Sequence, residues 1–186
     1  MAKRHKSLQG QFLLDGGKLV GSYFHRAAVL VCQHDAKGAL GLVLTQPAGP
    51  KVGEAITEAL PEVIASRPLF LGGPVQPQEM SFLYADPLLL DGNVMPGLKL
   101  GHTLPELLGT AEGPAISRRL LVFAGYAGWT AGQLDGEMTR GAWLTHPASI
   151  DLIFSPNPEK LWRTLVATKG PEFRLLAEGP DDLSLN

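Results

Sequence analysis

The sequence has little of what several protein classes need. It contains one cysteine, Cys32, so no internal disulfide can form, and this predicts a reducing compartment. The longest apolar stretch, residues 120–129, falls well short of the roughly twenty residues that cross a bilayer. The basic segment 3–6 is not followed by an apolar core, so no secretion signal is expected. These absences predict a cytoplasmic protein without a membrane span.

The sequence also lacks the charge and the motifs of common functional classes. Lysine and arginine number 16 and aspartate and glutamate 18, a net charge of −2, whereas dedicated nucleic-acid binders are strongly basic. The two basic clusters, residues 3–6 and 118–119, have no interleaved aromatic residues, so direct nucleic-acid binding is not expected. No phosphate loop, C-x-x-C or H-E-x-x-H is present, which predicts no metal and no cofactor. Ser81 does not stand in G-x-S-x-G, although a Ser/His/Asp set can assemble from any sequence order.

Glycine and proline are abundant, with 22 and 15 residues, so the chain turns often. The apolar pattern predicts strands at residues 27–32, 40–44, 68–71, 81–85, 120–124, 142–145 and 150–154. Helices are predicted at residues 52–60 and 103–108, and a last one starts at Pro158 with Asn157 as its cap. The apolar stripe of that last helix comprises Leu161, Trp162, Leu165 and Val166. This mixed order indicates an α+β or mixed α/β domain.

Three segments carry candidate binding residues. Gly72 and Gly73 precede Pro74 in a turn that either is structural or presents backbone amides to a ligand. In residues 125–137, Thr130 and Gln133 have the form of a capping box, and Gln133 and Glu137 share one helix face. The indoles of Trp129 and Trp143 either line a pocket beside that face or pack the helix onto the sheet.

The third segment surrounds the strand predicted at residues 27–32. Arg26 at its start is a candidate partner for Glu137 or for an anion. Cys32 and His34 are two residues apart, which predicts that both face the same side of a regular strand. Cys32 lies in an apolar run and is expected to be a buried, unreactive thiol.

Taken together, these segments resemble the YqgE/AlgH family of small bacterial proteins, over about residues 8 to 170. The matches are Phe24 and Arg26, residues 34–44, residues 72–75, and residues 125–137 followed by Gly141 and Trp143. The resemblance implies a single α+β fold with a mixed sheet. We therefore predict one domain over residues 1–186, with a mixed, mainly antiparallel sheet flanked by helices. Its ordered core is expected at about residues 8–173, between loose tails.

The resemblance implies no established activity, although one branch is named for a suspected part in transcriptional control. We predict a non-enzymatic module that binds a small ligand or a protein. Its predicted binding residues are Arg26, His34, Gly72, Gly73, Trp129, Gln133 and Glu137. One alternative is a hydrolase that uses Glu137 or His34 as its base. Another is a regulator linked to transcription indirectly rather than through DNA.

Overall fold

The computed structural model describes residues 6–89, 92–112 and 119–180. Its nine strands are β1 (Gln11–Asp15), β2 (Ala28–Asp35), β3 (Gly38–Val43), β4 (Pro47–Lys51), β5 (Pro68–Leu71), β6 (Val75–Ala85), β7 (Leu98–Gly101), β8 (Leu120–Thr130) and β9 (Trp143–Pro147). The α-helices are α1 (Val52–Ala55), α2 (Glu62–Ala65), α3 (Leu104–Gly109), α4 (Gln133–Thr139), α5 (Ile150–Ile153), α6 (Pro158–Val166) and α7 (Pro171–Glu178). Short 3-10 turns follow α3 and α6, at Thr110–Glu112 and Ala167–Lys169.

The strands form one sheet that is organised around β8. Its main order is β4-β5-β8-β3-β2-β1-β9, and β6 adds to β8 and carries β7 on its other side. Along its length β8 pairs with three strands, namely β6 and β5 in its first part and β3 from residue 127 onward. Among the described pairs only β5–β8 is parallel. This confirms the predicted α+β fold with a mixed, mainly antiparallel sheet.

The apolar run before Cys32 is buried on both faces of the sheet, as its pattern predicts. Alternate residues of this segment belong to two different apolar cores. Ala28, Leu30 and Cys32 pack in the core that also receives α6. Ala27, Val29 and Val31 pack in the core that receives α4. Strand β2 therefore lies between the α6 core and the α4 core, and the facing of each residue decides which core it contacts.

The predicted common facing of Cys32 and His34 is wrong, because β2 contains a bulge. The register against β3 shifts between Val31 and Gln33, so that His34 stands opposite Ala39. Ala39 packs with the α4 core, whereas Cys32 belongs to the α6 core. A bulge adds one residue to one strand and reverses the facing of every residue after it. His34 is thereby directed toward α4.

Two predicted elements near the helices also differ from the structure. Residues 150–154 do not form a strand but begin the short helix α5, because the Ser149 hydroxyl accepts the Leu152 N–H at 3.3 Å. The helix predicted at residues 52–60 ends already at Ala55, because Ile56 adopts an extended conformation, and a second short helix, α2, starts only after Pro61. Strands β1, β4 and β7 were not predicted.

Helix α6 forms as predicted, from Pro158 to Val166, although the Asn157 side chain makes no capping bond. All four residues of its apolar stripe are buried. Helix α7 then continues to Glu178, past the predicted end of the ordered core at about residue 173. No helix in the described part of the chain is long and apolar enough to cross a membrane.

Truncation of Leu165 to alanine is expected to lower the free energy of unfolding by about 2–5 kcal/mol. Leu165 is 2% exposed in the α6 core, so the removed methyl groups leave a cavity that its neighbours fill only in part. Thr164→Ala, at an exposed position of the same helix, is the control and is expected to change stability by less than about 0.5 kcal/mol. Urea unfolding followed by circular dichroism measures both. Equal midpoints for the two variants would contradict the assignment of this stripe to the core.

Candidate functional site

The structure brings four of the seven predicted binding residues together and places the other three elsewhere. Trp129, Gln133 and Glu137 form one hydrogen-bonded cluster. His34 lies beside this cluster, across one intervening strand. Arg26 packs against α6 instead, and Gly72 with Gly73 lies against the middle of β8. We call the region of His34, Trp129, Gln133 and Glu137 the α4 face.

Glu137 is the acceptor at the centre of the α4 face. Its Oε2 atom accepts both indole N–H groups, from Trp129 at 2.9 Å and from Trp143 at 2.8 Å. Its Oε1 atom accepts the Gln133 amide at 3.1 Å. Hydrogen bonds to an ionised acceptor are stronger than neutral ones. The carboxylate therefore joins the end of β8, the start of β9 and helix α4.

The turn between β8 and α4 sets the position of Gln133. Gln133 Oε1 accepts the Thr130 N–H at 3.1 Å and lies 3.3 Å from the Thr130 hydroxyl. Only one half of the predicted capping box therefore forms, namely the bond from the Thr130 N–H to the Gln133 side chain. The N-cap residue of α4 is Gly132, with a φ of 71°, and not Thr130. Glu137 follows one helical turn after Gln133, as the spacing predicts.

The two indoles pack α4 onto the sheet, which is the structural alternative given by the sequence. Both belong to the α4 core, and their rings meet edge to face with centroids 6.3 Å apart. Phe24 stacks on Trp129 at 6.3 Å. The indole nitrogens bond to Glu137 rather than to the backbone. Trp129 also borders a shallow surface pocket of about 320 Å³ that Gln33, Asp35 and Lys37 line.

His34 is held from both sides of its ring. The Leu8 N–H donates to Nδ1 at 3.0 Å, so the ring proton lies on Nε2, which stands 3.7 Å from Asp135 Oδ2. The side chain is only 2% exposed. His34 and Trp129 stand opposite Ala39 from the two sides of β3, so their backbones are about 10 Å apart, or two strand spacings.

Arg26 lies over Trp162 rather than beside Glu137, contrary to the predicted pair. Its guanidinium carbon stands 5.1 Å from the indole centroid, within the range of a cation–π contact. Its backbone is left-handed, with a φ of 53°, which is costly for a residue with a β-carbon. The Arg26 N–H compensates by donating to Asp15 Oδ2 at 2.9 Å. Arg26 therefore belongs to the junction of β1, β2 and α6.

Asp15 is a buried polar residue of that junction and was not among the predicted site residues. It is fully buried at the end of β1, and its Oδ1 atom accepts the N–H groups of Gly17, Lys18 and Leu19 at 2.8–3.2 Å. Its backbone carbonyl accepts the Trp162 indole at 3.0 Å. The signal was the sequence Asp15-Gly16-Gly17, since an aspartate before glycines is typical of a side chain that caps a turn.

Gly72 and Gly73 allow two backbones to meet. A β-carbon on Gly72 would lie 2.3 Å from the Gly125 carbonyl oxygen, and one on Gly73 would lie 2.1 Å from the Tyr126 carbonyl carbon. The Gly72 N–H donates to Ala124 and its carbonyl accepts the Val43 N–H, both at 2.9 Å. Backbone groups occupied in this way do not present themselves to a ligand. The contacts support the structural alternative for this turn.

The hydrogen bonds of the α4 face hold its polar side chains in fixed positions. A general base needs a free lone pair within reach of its substrate. Glu137 uses three of the roughly four acceptor positions of a carboxylate, and His34 Nδ1 accepts the Leu8 N–H. The Cys32 thiol is fully buried, and burial raises its pKa, so it is a poor nucleophile. Within the described ranges, no group of three or more histidine, cysteine, aspartate or glutamate side chains is placed to hold a metal ion.

Comparison with known proteins identifies the family. A family model described as AlgH-like matches residues 12–174. A UPF0301 protein of Pelodictyon phaeoclathratiforme is 37% identical over 182 residues, which cover 95% of each chain. A UPF0301 protein of Streptomyces coelicolor is 35% identical over 192 residues and covers 97% of this chain and 96% of its own.

Solved structures show the same fold. The solution structure of the AlgH protein from Pseudomonas aeruginosa superposes with a TM-score of 0.72 at 26% identity, over 97% of this chain and all of that one. A crystal structure from Corynebacterium diphtheriae gives a TM-score of 0.73 at 22% identity over 95% of each chain, a likeness of fold alone. The resemblance seen in the sequence motifs is confirmed, and the chain belongs to the AlgH-like family.

Proposed function

We propose that this protein is a non-enzymatic binding module and that its α4 face meets a small ligand or a protein partner. The observation that carries the proposal is the occupied state of both candidate bases. Glu137 accepts three hydrogen bonds and His34 is held between Leu8 and Asp135. Groups that are satisfied inside the fold hold a surface in one shape, which favours recognition over turnover.

A shallow pocket adjoins the α4 face at Ala39 and Trp129, and it is the place where a partner would bind. Gln33 and Asp35 flank His34 on β2 and therefore point to the other face of the sheet, and Lys37 lies in the turn that follows. All three are exposed, so their amide, carboxylate and ammonium groups face solvent. A few polar groups around a concavity can fix the orientation of a partner.

The proposal predicts that Glu137→Gln leaves any hydrolytic turnover unchanged. Wild type and variant are assayed side by side against panels of ester, phosphate and amide substrates. A general base contributes about 10²–10⁴-fold to a rate, so a catalytic Glu137 would be evident at once. Loss of a measurable turnover in Glu137→Gln, at unchanged fold, would replace the binding proposal by the hydrolase alternative.

Binding is tested by thermal shift against a metabolite library. A ligand present at 100 times its dissociation constant adds about 2.7 kcal/mol, which raises the Tm of a chain of this size by about 5–10 °C. We expect the shift to be lost in Lys37→Glu and kept in Lys160→Glu, an exposed charge reversal on α6. Equal shifts in both variants would place the ligand elsewhere than at the pocket that Lys37 lines.

A role in transcription is proposed only as an indirect one. Of the basic pair 118–119, Arg118 lies outside the described residues, and Arg119 lies 3.2 Å from the Asp151 carboxylate. This pairing and the net charge of −2 favour a protein partner over DNA. The cytoplasmic location likewise stays a prediction.

A further inference from the structure

A second pocket, of about 300 Å³, opens between β6, β7 and β8. Its lining includes Ser81 and Glu79 from β6, His102 directly after β7, and Gly125 with Tyr126 from β8. Apart from Leu40, none of its described lining residues belongs to the pocket beside Trp129. It is therefore a separate concavity that the α4 face does not explain.

Ser81 is the feature of this pocket that calls for a ligand. The residue is only 6% exposed, and its hydroxyl has no hydrogen-bond partner among the described residues. Buried polar groups in proteins are almost always paired, so an unpaired one needs a reason. Phe82 pairs with Gly101, which puts the preceding Ser81 opposite the following His102 across the two strands. Two hydrogen-bonding side chains are thus neighbours on the pocket wall.

The backbone at the rim is distorted. Val75 pairs with Tyr126 and Met80 with Ala124, so residues 76–79 all stand opposite Gly125. Within this bulge Gln76 has a φ of 46°, a left-handed conformation that strains a residue with a β-carbon. Bulges and strained residues recur at binding sites, where they redirect side chains. Here the bulge directs Gln76 and Glu79 to the pocket.

Gly125 forms the floor of the pocket, and the glycine turn at Gly72 and Gly73 packs directly behind it. Gly125 has a φ of 69°, and a β-carbon there would lie 2.5 Å from the Gly73 carbonyl oxygen and 3.0 Å from that of Val75. Gly73 therefore supports the floor from behind. The turn that holds Gly73 thus contributes to this pocket by supporting Gly125, without facing the pocket itself.

The charges of the lining decide the class of ligand. Glu79 is the one described lining residue with a formal charge at neutral pH when histidine is counted as neutral, and it is exposed. A negative rim repels anions and attracts cations. The Tyr126 ring offers an aromatic face, which also favours a positively charged nitrogen.

We propose that this pocket binds a small organic cation that carries a hydrogen-bonding group. Its ammonium group lies between the Glu79 carboxylate and the Tyr126 ring. Its hydroxyl or amine reaches the His102 ring. The Ser81 hydroxyl oxygen is enclosed in the ligand-free chain, and the ligand supplies its missing partner once the side chain rotates toward the pocket. The proposal stands apart from the proposed function, because the α4 face is lined by other residues.

Choline chloride is the probe, and dimethylbutanol, its uncharged carbon isostere, is the matched control ligand. Amide NMR titration of the full chain is expected to show saturable shifts for choline at Gln76, Ser81 and Tyr126. The isostere has the same shape and hydroxyl but no charge, and we expect it to bind about tenfold more weakly or less. Equal affinity for the two compounds, shifts elsewhere, or no saturation by about 10 mM would overturn the proposal.

Two variants separate a ligand site from a structural defect. Glu79→Gln is expected to raise the dissociation constant of choline about tenfold, whereas Glu159→Gln, an exposed control on α6, leaves it unchanged. Ser81→Ala is expected to weaken choline binding several-fold while the Tm without ligand stays equal or rises, because an unpaired hydroxyl is removed. A lower Tm with unchanged binding would mean that Ser81 holds a structural water, and the proposal would fail.

Discussion

Asp15→Ala is expected to lower the free energy of unfolding by more than about 4 kcal/mol and to leave much of the protein unfolded near 37 °C. The Asp15 carboxylate accepts four backbone N–H groups, from Gly17, Lys18, Leu19 and Arg26. Each buried donor that loses its acceptor costs about 1–3 kcal/mol. A typical domain has only about 5–15 kcal/mol of stability, so the loss removes most of it. The left-handed backbone of Arg26 also loses its support.

Two comparisons make the Asp15 result specific. Asp15→Asn keeps one acceptor oxygen, but its NH₂ group must face the N–H donors that bonded to the other oxygen. Its free energy of unfolding is therefore expected to lie between those of wild type and Asp15→Ala. Asp151→Ala removes a carboxylate of the same type that is 89% exposed and pairs with Arg119. Surface pairs contribute about 0–1 kcal/mol, and this control should remain near wild type. Denaturant unfolding followed by circular dichroism ranks all three, and a similar midpoint for Asp15→Ala and Asp151→Ala would contradict the structure.

Gly73→Ala is expected to prevent a stable fold. The added carbon would stand 2.1–2.3 Å from three backbone atoms of Tyr126 and Ala127. Because these atoms belong to the backbone, rotating a side chain cannot remove the clash. The turn must move away from β8, and the Gly72 hydrogen bonds to Ala124 and Val43 are then lost as well. We expect little soluble protein, and no cooperative unfolding transition in what is recovered.

Gly109→Ala is the matched control for that experiment. Gly109 ends helix α3, and a β-carbon there meets nothing within 4 Å. Alanine favours helix by about 1 kcal/mol over glycine, so this variant should be as stable as wild type or more so. Yield and thermal unfolding of the two variants are compared. A cooperative, wild-type-like transition for Gly73→Ala would show that the close approach to β8 is wrong.

The parts of the fold that the sequence predicts are those with local causes. The hairpin of β2 and β3 is fixed by an apolar run, a short polar turn and a second apolar run. Helix α6 follows from its proline start and its stripe of four buried residues. Residues 150–154 have equally apolar character, but Ser149 caps them as a helix, and periodicity does not distinguish strand from helix over so short a run.

The same division holds for the candidate site. Trp129, Gln133 and Glu137 lie within nine positions of the chain. Helical spacing brings Gln133 and Glu137 together, and the short turn after β8 places Trp129 beside them. Arg26 meets Trp162 and Leu176, partners so distant in sequence that no local pattern indicates them. His34 changes face because of one bulge, and a bulge has no signature in the residues of β2. The Ser81 pocket depends on three strands and is visible only in the folded chain.

The three partners of β8 all precede it in the chain, since β3, β5 and β6 end before residue 86. During synthesis these strands leave the ribosome before β8, so the edges that pair with β8 stay unpaired until residues 120–130 have emerged. Open edges pair with those of other nascent chains, which makes the growing polypeptide prone to aggregation and a substrate for chaperones. A product that stops before residue 120 cannot close its sheet, and we expect cells to degrade it rather than accumulate it.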